Sequence, residues 1–93
     1  MSLRWPFKDP DEVLDYQFDW TERLEVGETL TSSAFTIAEG TVTKDSQTYA
    51  PSGTSTVWLS GGTLGEKCLI TNRVTTSAGR TYDESAHLRI RSK

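Results

Sequence analysis

Glu66-Lys67-Cys68-Leu69-Ile70-Thr71-Asn72-Arg73-Val74-Thr75-Thr76 is followed by Ser77-Ala78-Gly79-Arg80 and then by Thr81-Tyr82-Asp83-Glu84-Ser85-Ala86-His87-Leu88-Arg89-Ile90-Arg91. Two β-rich runs flank a short Ser/Ala/Gly connection, which is the sequence form of a hairpin. Side chains alternate between the two faces of a strand. The first run therefore sets Cys68, Ile70, Asn72 and Val74 on one face. The second sets Tyr82, Glu84, Ala86, Leu88 and Ile90 on one face and His87 on the other. Cys68, Ile70, Val74, Tyr82, Leu88 and Ile90 are the core residues this hairpin predicts.

Upstream of the hairpin the same reading repeats. Residues 13–20 alternate, with Leu14, Tyr16, Phe18 and Trp20 on one side and Val13, Asp15, Gln17 and Asp19 on the other. That period of two, rich in aromatics, predicts a strand with one buried face. Residues 21–28 read as a loop turning at Val26-Gly27-Glu28. Residues 30–37 read as a strand anchored by Phe35 and Ile37, ended by Glu39-Gly40. Thr41-Val42-Thr43 reads as a short strand and residues 44–54 as a loop, in which Tyr49 is the one large apolar side chain. Residues 55–60 form another strand, with Trp58 expected in the core. Gly61-Gly62-Thr63-Leu64-Gly65 calls for a tight reversal.

The pattern is all-β, with about six to seven short strands and turn signals about every ten residues. It predicts a small immunoglobulin-like β-sandwich over residues 13–93, preceded by an extended N-terminal arm over residues 1–12. The cysteine pair flanking a tryptophan that marks true immunoglobulin domains is absent, because Cys68 is the only cysteine.

Ninety-three residues bound the chain to one modest core, and a hydrophobic fraction of 34% leaves that core thin. A net charge of −3 argues against nucleic acid as the main partner. The locally basic end, Arg89, Arg91 and Lys93, reads as a solvated edge strand. No apolar leader and no run of membrane-spanning length are visible, so the chain is expected to be made in a reducing cytoplasm.

No candidate for catalysis survives its plain alternative. His87 lies near Asp83, Glu84 and Ser85, but residues so close along one strand do not converge as a triad. Cys68, alternating inward, reads as a small buried hydrophobe. Gly61-Gly62-Thr63-Leu64-Gly65 lacks the Lys-Ser/Thr ending of a phosphate loop. Asp9, Asp11, Glu12 and Asp15 cluster, yet they do not complete a calcium-loop pattern, and a solvated acidic turn explains them. Trp58 has the chemistry to stack on a sugar. The expectation is a chain that is not an enzyme and needs no cofactor or metal.

The arm carries the sharper functional signal. Trp5-Pro6-Phe7 and then Lys8-Asp9-Pro10-Asp11-Glu12 lie outside any periodic pattern. Two readings stand: Trp5 and Phe7 fold back to cap the core, or the arm docks on another subunit. Under the second, Trp5, Phe7, Lys8, Asp9, Asp11 and Glu12 are the candidate protein-interface residues, because buried aromatics dominate interface energetics.

Three segments carry a family resemblance: Lys8-Asp9-Pro10-Asp11-Glu12-Val13-Leu14-Asp15-Tyr16 with Asp19-Trp20, then Thr56-Val57-Trp58-Leu59-Ser60-Gly61-Gly62, then Thr71-Asn72-Arg73-Val74-Thr75-Thr76-Ser77-Ala78-Gly79-Arg80-Thr81-Tyr82-Asp83. In this order the chain resembles the fiber–tail adaptor proteins of tailed bacteriophages and prophages, over residues 8–91 apart from the middle, 39–55. Where the family pattern has an aromatic in the penultimate strand, this chain has Cys68. The resemblance implies a non-enzymatic virion protein of the tail, made in the host bacterial cytoplasm. It would join tail or baseplate to the fibers in several copies, as a ring or otherwise, with no nucleic acid and no membrane as partner. The residues leave two alternatives: a carbohydrate-binding host-attachment module, and a capsid decoration or head–tail connector protein.

Overall fold

The computed structural model describes residues 2–92. Among them seven strands run in order: β1 (Ser2–Arg4), β2 (Leu14–Asp19), β3 (Leu30–Glu39), β4 (Val42–Ala50), β5 (Thr54–Gly61), β6 (Lys67–Thr76) and β7 (Thr81–Arg89), with one 3-10 turn at Thr21–Arg23. They form a four-stranded sheet, β1-β7-β6-β3, and a three-stranded sheet, β2-β5-β4. All pairings are antiparallel except β1 with β7, which is parallel. The protein is an all-β sandwich.

The hairpin expected at 66–91 forms as β6 and β7, with Lys67 opposite Arg89 and Thr75 opposite Thr81. Its turn closes through the Thr76 N–H, which donates to the Arg80 carbonyl at 2.8 Å. Cys68, Ile70, Val74, Ala86, Leu88 and Ile90 are fully buried on its inner face. The opposing sheet supplies Tyr16, Phe18, Val57 and Leu59, and Trp20 follows directly after β2. Removing side chains of this size from water contributes about 1.5–3 kcal/mol each. Aromatic rings meet across the core, with Phe18 and Phe35 centroids 6.1 Å apart.

The segment 44–54, expected as a loop, is mostly strand: β4 continues to Ala50, and only residues 51–53 turn. β4 is the edge of its sheet, and every residue from Thr43 to Tyr49 is exposed. With neither face buried, no apolar alternation was there to be read, and a register shift between Lys44 and Ser46 breaks the period further. Its side chains nonetheless have work to do at the open edge of β3. Gln47 Oε1 accepts from the Phe35 N–H at 2.8 Å, Lys44 Nζ donates to the Phe35 carbonyl at 3.0 Å, and the Tyr49 hydroxyl donates to the Thr31 carbonyl at 2.7 Å. Three backbone groups that the edge strand leaves unpaired are thus satisfied from within the chain.

Gly61-Gly62-Thr63-Leu64-Gly65 does not reverse the chain within one sheet. It carries it from β5 in the three-stranded sheet across to β6 in the four-stranded one. Gly62 has φ +104°, and a Cβ there would lie 2.9 Å from Ile90 Cδ1. Trp58 is also placed otherwise than expected: it is 41% exposed, while Val57 and Leu59 beside it are buried. In strict alternation only one face of β5 can enter the core, and Val57 and Leu59 take it.

Residues 2–8 lie against the sandwich. β1 pairs with β7 through Ser2 to Ser85 and Arg4 to His87. The Trp5 N–H then donates to the His87 carbonyl, and the Lys8 N–H to the Arg89 carbonyl, both at 2.9 Å.

Candidate functional site

The six interface residues named from the sequence fall into four environments. Trp5 is half-buried and stacks on Tyr16, ring centroids 4.7 Å apart and planes 15° from parallel. Phe7 remains 40% exposed, with the Arg91 guanidinium 5.5 Å from its ring centroid. Asp9, Asp11 and Glu12 form a tight polar turn, in which Glu12 Oε1 accepts from the Asp9 N–H and Asp9 Oδ1 from the Asp11 N–H.

Lys8 does not lie on this surface. Its side chain is buried, and Nζ donates to the Gly61 carbonyl at 2.6 Å and the Asp9 carbonyl at 2.9 Å. The motif around it showed only a charged residue in a polar turn. Tertiary structure turns that ammonium inward to tie the N-terminal segment to the end of β5, where backbone carbonyls replace lost water.

Beside Phe7 runs an open cleft of about 470 Å³ lined by Arg4, Trp5, Pro6, Phe7, Arg89 and Arg91. A smaller hollow adjoins it, lined by Arg4, Lys67, His87 and Arg89. The register explains the clustering. Arg4 lies opposite His87 and Lys67 opposite Arg89, so three adjacent strands bring cations to one end of the outer face. Arg4, Lys67, Arg89 and Arg91 form no ion pair with a described residue, whereas Arg23, Arg73 and Arg80 all do. The sequence showed only the part of this patch that lies at the C-terminal end.

The outer face of the three-stranded sheet has the opposite sign. β2 presents Asp15, Gln17 and Asp19, and Trp58 stands between Asp15 of β2 and Ser46 of β4 in register. Asp45 lies alongside, accepting from the Ser60 hydroxyl at 2.9 Å. Lys44, the one cation of β4, turns away toward Phe35. The result is an exposed indole among carboxylates. Cations are attracted to such a ring face, and arginine also stacks on it.

Groups with chemical potential are held in structural roles. The Cys68 thiol is buried and hydrogen-bonds Glu66 at 3.4 Å; burial first, then that bond, push its pKa up to about 11. Few thiolates form under such conditions, so the group is a poor nucleophile. Glu66 is partly desolvated, which raises its pKa. The Thr63 N–H and the Thr41 hydroxyl and N–H outweigh that and hold it down at about 2. His87 sits on β7 with a buried Nδ1 that lacks a partner among the described residues. Among the described residues no group of three or more His, Cys, Asp or Glu side chains is placed to hold a metal ion.

Residues 8–89 match the family described as Podophage GP4 fiber-tail adaptor protein gp77. Comparison with curated proteins finds no match. The family match spans most of the chain, from β2 to β7, and the chain belongs to this podophage fiber–tail adaptor family.

Proposed function

We propose that this member of the fiber–tail adaptor family is a non-enzymatic structural protein of the virion that joins the phage tail, at or near its baseplate, to the tail fibers. The observation that carries the reading is the family match over residues 8–89. The structure supports it by what it offers: two broad polar sheet faces, and a β3 edge whose backbone is occupied at Thr31 and Phe35 by β4 side chains, which favours contacts made by side chains. The chain works as one sandwich domain, with the N-terminal segment from Ser2 to Glu12 laid along its edge. It is made in the host cytoplasm and present in several copies per particle. The strand order also supports an immunoglobulin-like reading, with β2-β5-β4 facing β7-β6-β3 as B-E-D faces G-F-C.

The N-terminal edge is the contact element of this reading, with exposed Phe7 as its apolar anchor and Trp5, Asp9, Asp11 and Glu12 around it. Trp5 also supports Tyr16, so truncating it would confound contact with stability. Phe7→Glu with Asp11→Lys leaves the core intact. Particles carrying that variant should incorporate far less of the protein into tails and hold fewer fibers. Normal incorporation would remove the edge from the reading, and fibers retained on particles lacking the protein altogether would remove the adaptor role.

The exposed Trp58 favours a second reading, a host-attachment module that stacks a sugar ring on the indole. Quenching or a blue shift of tryptophan fluorescence on adding host surface glycan, lost in Trp58→Ala, would support it.

A further inference from the structure

We propose that the Trp58 face of one copy receives the arginine-lined N-terminal edge of a second copy, so that subunits associate head to tail. This deepens the adaptor reading and rests on its several copies per particle. It names the partner of the N-terminal edge as the chain itself.

Three observations carry it. The first is charge. Arg4, Lys67, Arg89 and Arg91 collect without an ion-pair partner among the described residues, on a chain whose net charge is negative. Asp15, Asp19 and Asp45 collect on the outer face of the other sheet, likewise without an ion pair among the described residues. The second is the apolar partner each patch presents: Phe7, 40% exposed, beside the arginines and Trp58, 41% exposed, between Asp15 and Ser46. A guanidinium from Arg89 or Arg91 laid on the indole would meet Asp15 and Asp45 at its rim. That combines stacking with charge-assisted hydrogen bonds. The third is placement. Arg4, Lys67 and Arg89 lie on the outer face of the four-stranded sheet and Asp15 and Trp58 on the outer face of the three-stranded one, on opposite sides of the sandwich.

Placement decides the symmetry. A patch that binds itself produces a closed two-fold dimer. Two different patches on opposite sides produce a heterologous contact, which repeats and closes into a ring, or runs on as a filament, depending on the rotation per step. The contact is built largely from exposed charges, so it weakens with salt: the screening length falls from about 30 Å at 0.01 M to about 3 Å at 1 M ionic strength.

Sedimentation velocity of the purified full chain over a dilution series tests this. At low ionic strength the protein should associate beyond a dimer as concentration rises, and about 0.5 M salt should weaken association at least tenfold. Asp15→Lys with Asp45→Lys should be monomeric, and so should Arg89→Glu with Arg91→Glu. Mixed in equal amounts, the two variants should associate again, because each retains one native patch. Circular dichroism checks that each swap folds; Trp58→Ser replaces any that does not, and should also be monomeric. A wild-type chain that stays monomeric up to about 1 mM at low salt would overturn the proposal, as would association unmoved by any of these changes. Loss of tail incorporation by the Phe7 variant alongside a monomeric wild-type chain would leave the adaptor reading standing and sink this one.

Discussion

The indole Nε1 of Trp20 donates to the Asn72 carboxamide oxygen at 3.1 Å, joining the end of β2 to the middle of β6 across the sandwich. Ser55 of β5 completes the link: its hydroxyl accepts from the same indole at 3.1 Å and donates to Asn72 at 2.6 Å. The Asn72 amide nitrogen donates to the Ser33 hydroxyl and the Ala34 carbonyl. A fully buried carboxamide therefore has its bonds made, in a core that has no disulfide to hold the two sheets together.

Asn72→Leu should lower unfolding stability by about 2–4 kcal/mol, because it strands the Ser55 hydroxyl and two groups of β3 while filling the space. The urea midpoint should fall at an unchanged slope. A loss below about 0.5 kcal/mol would show that the network adds little beyond packing.

Glu66 sets part of the acid response. Its folded pKa of about 2 lies below the unfolded value of 4.5, so the unfolded chain binds more protons between the two. Its contribution is present above the unfolded value and is lost as pH falls toward 2. Glu66→Gln should make the decline in stability between about pH 5 and 2 shallower. It should not abolish it, because Asp19, Glu28 and Asp83 are also held low by hydrogen bonds. Equal slopes for the two proteins in denaturant titrations across that range would refute the assignment.

Gly40 and Cys68 are coupled by contact. Gly40 has φ +109°, and a Cβ added there would collide with Cys68 Sγ. Gly40→Ala should cost about 2 kcal/mol or more, and Cys68→Ala in the same chain should relieve the clash with Sγ but neither the contact with the remaining Cβ, 2.9 Å away, nor the backbone strain. The same burial should keep Cys68 unlabelled by alkylating reagents until the protein unfolds. With Cys68 raised to about 11 and Tyr16 to about 12, both groups resist ionising in the fold. Stability should then decline as pH rises above about 9, where the unfolded chain begins to lose these protons first.

Strands with one buried face were legible in the chain. Val13-Leu14-Asp15-Tyr16-Gln17-Phe18-Asp19-Trp20 and the closing hairpin alternate because a sheet separates core from water every second residue, and that partition is written in residue type. β4 was not legible. Its partners are backbone groups of β3 and β5, which leave no trace in hydropathy.

The sequence by itself determined an all-β sandwich, the inward residues of β2 and of the closing hairpin, and its family, since local periodicity and motif order suffice for these. Only the tertiary structure decided that Lys8 points inward, that Trp58 faces out, and that Arg4 joins Arg89 across a parallel pairing of the chain's two ends. Each depends on which strands become neighbours. Arg4 and Arg89 lie at opposite ends of the chain, and sheet pairing alone brings them together as one charged surface.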